Sequence, residues 1–144
     1  MTSKVKDFSQ QAPGSSESTL VEKSLSLFES LGMGVVCQAA DGKIIFANST
    51  AVRLLGLPLK EILGRKLTDP QWKFIREDGS PFPRVDHPAA QALRSKSAVT
   101  DVIMGITDQK RKNCTWVKIS TIPQKLAEKN QLTGAYTILE DSSN

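Results

Sequence analysis

At 144 residues the chain is sized for one domain, long enough to bury a core without disulfide or metal staples. Its apolar fraction of 39% is that of a globular protein, and no apolar run approaches the ~20 residues that span a bilayer. The net charge of +4 is local: between residues 109 and 130, Lys110, Arg111, Lys112, Lys118, Lys125 and Lys129 face Glu128 alone.

A nucleic-acid footprint sets basic residues along one face, interleaved with aromatics. Here Lys110-Arg111-Lys112 falls between two strand patterns and reads as a solvated hairpin tip. Cys37 and Cys114 have no paired or metal-like spacing, so the expectation is buried, reduced thiols in a cytoplasmic protein. The opening MTSKVKDFSQQ lacks the apolar stretch of a secretory signal. Neither a membrane nor a nucleic-acid partner is expected.

Residues 1–18 are rich in Ser and Gln, with Pro13-Gly14, and read as a disordered tail before a domain over 19–142. Thr19 and Glu22 have capping-box spacing. Leu20, Val21, Leu25, Leu27, Phe28 and Leu31 then recur at helical spacing, and Gly32 stops the run, predicting a helix over 19–31. Its apolar arc is wider than one packing face needs, so Leu20, Leu27 and Leu31 are assigned to a contact with a second copy of the chain.

Val35 to Ala39 reads as a strand, Asp41-Gly42 as a tight hairpin turn, and Ile44-Ile45-Phe46 as the return strand. Asn48 is a good N-cap for a helix carrying Val52, Leu54 and Leu55 and closed by Gly56. Leu59, Ile62 and Leu63 form a short helical turn ended by Gly64. Pro70, Pro81 and Pro83 argue against long regular elements over 67–85. Asp86 is assigned as the cap of a helix to about Leu93, with Pro88 in its first turn.

The last third is strand-like. Val99 to Thr107 is β-branched and apolar, Trp116 to Ile122 alternates until Pro123, and Leu132 to Leu139 is the last strand. Grouped strands with segregated helices predict an α+β fold on an antiparallel sheet. The space between helices and sheet is a natural small-ligand cavity.

The motifs of enzymes are missing: there is no glycine-rich phosphate loop and no nucleophile elbow. The chain is expected not to be an enzyme. His87 is the only histidine, and it cannot build a metal site with two remote cysteines placed on strands. Beside Asp86 and Pro88 it reads as a residue at the start of a helix, directed away from the cavity. Proton sensing is the lesser alternative. Trp72, Phe74 and Phe82 read as core.

The stretch from Trp72 to Leu93, WKFIREDGSPFPRVDHPAAQAL, carries more information than any other. Together with Asp41-Gly42, Asn48 and the closing Leu139-Glu140-Asp141, it resembles a PAS sensor domain of the kind common in bacterial signalling proteins. The resemblance covers roughly residues 20–142. It implies a five-stranded antiparallel sheet, short helices packed on one face and an N-terminal flanking helix. For a ligand pocket it implies Phe46, Val52, Leu55, Ile62, Trp72 and Ile75 from the first half of the chain. Leu93, Ile103, Val117 and Ile119 complete the set.

Two cofactors of the family have signatures that can be compared with this sequence residue by residue. Light-sensing flavin members carry an Asn-Cys-Arg-Phe-Leu-Gln motif on a central helix, but Lys60 to Arg76 holds no cysteine. Asn113-Cys114 echoes two letters of that motif at a strand start, and the rest fails. Haem members ligate iron from a histidine inside the helix matching 86–95, which has none after His87. Flavin and haem are both disfavoured, leaving an apolar metabolite or no ligand.

PAS domains commonly end in an Asp-x-Thr motif joining the last strand to the output linker. Asp141-Ser142-Ser143 matches in part, with serine for threonine, and Asp141 is assigned the relay. The implied function is a sensory or protein-interaction module that acts through homodimer contacts on an effector such as a histidine kinase or diguanylate cyclase, in cis or in trans. The alternative is a ligand-free dimerisation adaptor for such an effector.

Overall fold

The computed structural model describes Lys23 and residues 25–108, 114–126 and 128–142. The proposed tail, Thr19, Leu20 and the tip Lys110-Arg111-Lys112 lie outside the described residues.

Residues 25–30 form helix α1. It stops where the Leu31 N–H bonds back to the Leu27 carbonyl at 3.0 Å and Gly32 takes φ +75°. Strands β1 (Met33–Ala39) and β2 (Ile44–Ala47) pair antiparallel through the Asp41-Gly42 turn. Gly42 has φ +93°, and the Asp41 carboxylate accepts the Lys43 N–H at 2.9 Å.

Helix α2 (Ser49–Leu55) is capped by Asn48, whose Oδ1 accepts the Ala51 N–H, and ends on Gly56 at φ +80°. The short helix α3 (Leu59–Ile62) follows Pro58. Strand β3 (Trp72–Ile75), a 3₁₀ turn at Arg84–Asp86 and helix α4 (Pro88–Ser95) complete the middle. Strands β4 (Val99–Asp108), β5 (Cys114–Leu126) and β6 (Gln131–Asp141) close the chain.

Every strand pair is antiparallel, in the order β2-β1-β6-β5-β4-β3. The α+β class read from the sequence is the observed one, with six strands in place of five. The extra strand is β3, four residues long, lying between Pro70 and Pro81. Its Phe74 pairs with Ile106, and the Phe82 N–H returns to the Phe74 carbonyl at 2.8 Å.

Strand β5 also continues past Pro123, which was expected to end it. Its last pairing with β4 is Thr121 to Val99. From there β5 is bonded only to β6, so a residue without an N–H leaves no partner unmet on the β4 side.

The two faces of the sheet differ. The inner face packs Val36, Ile44, Trp72, Met104, Val117, Ile119 and Leu139 against α2, α3 and α4 in one buried core. Close approach of α2 requires Gly34, where a Cβ would stand 2.9 Å from the Ala51 Cα. The Trp72 indole N–H donates to the Leu55 carbonyl at 2.8 Å and so closes the end of α2. The outer face has its own cluster, Val35, Cys37 and Phe46, with Leu25 and Phe28 of α1 packed on it.

Candidate functional site

Where β1 meets the start of α4, the inner layer opens into a cleft of about 170 Å³. Gln38 lies on its β1 side and Ala89, Ala90 and Leu93 of α4 opposite. Asp41, Gly42 and Lys66 border it from the β1–β2 turn and the segment after α3. Asp41 and Lys66 are exposed, so one charge of each sign stands at its edge.

Gln38 is 3% exposed. Its Oε1 accepts the Thr137 hydroxyl at 2.6 Å, and the Thr137 and Thr121 hydroxyl oxygens are 2.9 Å apart. Its Nε2 is buried with no hydrogen-bond partner. Buried polar groups are paired in the great majority of cases, so an unspent donor on a residue that lines a cleft is the feature among the described residues that most resembles a binding element.

His87 is the second buried polar group with an open valence. It is 1% exposed, its Nδ1 accepts the Ala89 N–H at 3.0 Å, and its Nε2 has no partner. The ring stands edge-on to Phe74, with centroids 4.6 Å apart. Burial pushes its pKa down to about 3, so the imidazole is neutral, with the proton on Nε2. Two expectations are corrected here. His87, not Asp86, caps α4, and it turns into the core instead of away from it. Asp86 closes the 3₁₀ turn and meets Arg76 at 3.4 Å. Burial of the ring, which holds its pKa low, argues against the proton-sensing alternative near neutral pH.

The ten residues assigned to a pocket separate into three groups. Leu93 borders the cleft. Leu55, Ile62, Trp72, Val117 and Ile119 are buried in the inner core, with Val52 packed against it. Phe46, Ile75 and Ile103 do not join them. Phe46 belongs to the outer cluster because β2 bulges: Cys37 pairs with Phe46 and Gln38 with Ile44, so the intervening Ile45 shifts the alternation. Ile103 pairs with Lys118 and Ile75 with Gly105, out of step with the inward Met104 and Phe74.

Gln38, Asp41 and Lys66 were missed as site residues. The available signal was a glutamine inside the apolar run Val35-Val36-Cys37-Gln38-Ala39, a position where a polar side chain needs a reason.

Neither thiol fits the cysteine chemistry of the flavin motif. Cys37 lies in the outer cluster, and burial pushes its thiol up to about 12. Cys114, expected to be buried like Cys37, is instead exposed at the start of β5 on the outer face, where its Sγ crowds Gly105 beside Ile75. The described residues contain no cluster of His, Cys, Asp and Glu able to hold a metal ion. No helix among them is long and apolar enough to cross a membrane.

At the remaining assigned positions, Leu27 and Leu31 are 58% and 60% exposed, while Leu25 and Phe28 of the same segment are packed. Asp141 is the exposed last residue of β6, in register with Val117.

Comparison with known proteins agrees with this architecture. The PAS domain of the fruit-fly ELK potassium channel superposes with a TM-score of 0.61 at 14% identity, covering 86% of this chain and 98% of that one. The PAS domain of nitrogen regulation protein NR(II) from Vibrio parahaemolyticus gives 0.54 at 14% identity, covering 81% and 94%. The LOV domain of the blue-light photoreceptor Aureochrome1 gives 0.61 at 18%, covering 86% and 83%. At these identities the likeness is one of fold. No curated protein sequence matches the chain. The sequence model of the PAS domain, a sensory module of signalling proteins, matches residues 32–144, and the chain therefore belongs to the PAS domain family.

Proposed function

We propose that this PAS domain senses a small molecule in the cleft beside Gln38 and passes the signal on through a homodimer. The observation that carries the reading is the buried, unspent Nε2 donor of Gln38, a residue that lines the cleft. Occupancy there bears on β1 and α4 together, and β1 is paired along its length with β6, which ends at Asp141. A ligand shifts such an equilibrium only by its differential affinity for two states, and the cleft lies between two elements, β1 and α4, whose spacing it can bias. The exposed Leu27 and Leu31 supply a contact for a second copy, and an effector such as a histidine kinase or diguanylate cyclase is the recipient.

A second reading is a ligand-free dimerisation adaptor that docks a separate effector. It is favoured by the exposed apolar Leu27, Leu31 and Val85, which need no ligand to act. Native mass spectrometry of freshly purified protein separates the two. The sensor is expected to retain a small mass above the polypeptide, or to be stabilised by a metabolite pool. A bare polypeptide unmoved by that pool, with an effector captured in pull-down, would replace the sensor by the adaptor.

A further inference from the structure

The chemistry of the cleft narrows what it can hold. Thr137 spends its hydroxyl proton on Gln38, so the Thr121 hydroxyl must donate to Thr137. The relay Thr121, Thr137, Gln38 thus runs in one direction across three strands and ends on the Gln38 carboxamide N–H. Thr121 and Thr137 are fully buried, so the carboxamide is held in place from behind. Its bond to Thr137, on the inner face, sets the side chain on the α4 side of the sheet, where the cleft lies. A buried amide N–H without a partner calls for a hydrogen-bond acceptor.

The charge of that acceptor is set by what surrounds it. Among the described residues the buried polar ones are Gln38, Asn48, Thr50, His87, Thr121 and Thr137, and none is a cation once His87 is neutral. A carboxylate or phosphate reaching Gln38 would lose water with no buried counter-charge beside it, since Lys66 stands exposed at the cleft's edge together with Asp41. A carbonyl oxygen meets the same N–H without that loss. The rest of the ligand would lie against Ala89 and Leu93, with its outer end between Asp41 and Lys66. A cavity of roughly 150 Å³ accommodates benzene, so a space of about 170 Å³ suits a single substituted ring or its equivalent.

We infer that the cleft binds a small neutral carbonyl compound, an amide or ketone of about one ring in size, through its oxygen to the Gln38 Nε2. The inference rests on the sensor reading and gives its ligand a chemical class.

The test is a ¹⁵N-NMR titration of the whole chain with benzamide, using benzoate and benzylamine as charged controls of matched ring. Benzamide is expected to move the Gln38 side-chain NH₂ pair and the Ala89 and Leu93 amides together and saturably. The charged controls should bind at least roughly tenfold more weakly. Gln38→Met removes the donor at similar side-chain length and should lose a similar factor. Leu93→Trp, which fills the cleft from its partly exposed wall and leaves Gln38 in place, should abolish binding in a protein whose signals away from the cleft are unchanged.

Benzamide that leaves the Gln38 NH₂ pair unmoved up to its solubility overturns the inference, as does benzoate binding equally well at the same signals. If a co-purified molecule of another class is present in that case, the sensor reading survives alone. Benzamide seated at Gln38 supports the inference even if no effector responds, a result that counts against sensing only.

Discussion

The Val35 N–H and the Asn48 side-chain oxygen are joined at 2.9 Å, and that oxygen also accepts the Ala51 N–H at 2.9 Å. The Asn48 Nδ2 in turn donates to the Met33 carbonyl at 3.0 Å. One carboxamide therefore caps α2 and ties it to the start of β1. This is the strand that also carries Gln38, so the cap helps to fix one wall of the cleft.

Asn48→Ala should destabilise the domain by about 2–4 kcal/mol, more than an ordinary lost cap, because the buried Val35 N–H is orphaned as well. Asn48→Asp keeps the acceptor oxygen for both N–H groups but sets a carboxylate oxygen against the Met33 carbonyl, so it should still be destabilised, by less than Ala because the cap survives. Urea denaturation of the two variants, with unchanged m-values, checks the ranking. Equal costs would show that the Nδ2 bond, not the cap, holds the joint.

The buried imidazole sets a pH dependence of known sign. His87 has its pKa lowered to about 3 when folded, against 6.5 for a free histidine. Below pH 6.5 the unfolded chain takes up a proton that the folded chain refuses. Stability from this group is complete above pH 6.5 and is lost between pH 6.5 and about 3, by up to about 1.4 kcal/mol per pH unit. His87→Asn keeps a capping acceptor without the titration, so its stability should fall less steeply from pH 6.5 to 5, above the range where carboxylates dominate. Parallel slopes for the two proteins would place the ring in solvent contact.

How much of this was legible follows from what each signal depends on. The Asp41-Gly42 turn, the Asn48 cap and the Gly56 stop depend on local backbone demands, and each stands where it was read. Strands β4, β5 and β6 were found because β-branched alternation is also local. What failed depends on pairing. The bulge at Ile45 turns Phe46 outward, and no alternation counted along β2 alone can reveal it. Pro123 continues β5 only because β4 has already ended. His87 displaces Asp86 as the cap because the chain turns inward at that residue, toward Phe74. The Gln38 relay joins residues 99 positions apart and has no sequence pattern.

Leu27 and Leu31 are more than half exposed on a segment whose other apolar residues are packed. If a second copy covers them, Leu27→Asp should yield a folded monomer, because its side chain leaves the outer cluster of Val35, Cys37 and Phe46 untouched. Sedimentation of the wild type should show a dimer at high micromolar concentration, with the variant's thermal melt shifted by no more than a few degrees. A wild-type monomer at that concentration would sink the dimer.

Asp141 should matter to output more than to stability. It is the exposed last residue of β6, and the core of that strand is already made by Leu139, which is fully buried. The sheet continues one step beyond it through the bond from the Ser142 N–H to the Trp116 carbonyl at 2.8 Å. An exposed ionic contact here contributes under about 1 kcal/mol to folding. A position that joins the sheet to whatever follows can still decide between two linker geometries, since a bias of about 1.4 kcal/mol changes their ratio tenfold. Asp141→Ala is therefore expected to leave the melting temperature within about 3 °C of wild type. In the same variant an attached or added effector should show altered basal activity and lose its response to ligand. An unchanged response would reduce Asp141 to a polar tail residue, and an unfolded variant would assign it to the structural network of β5 and β6 instead.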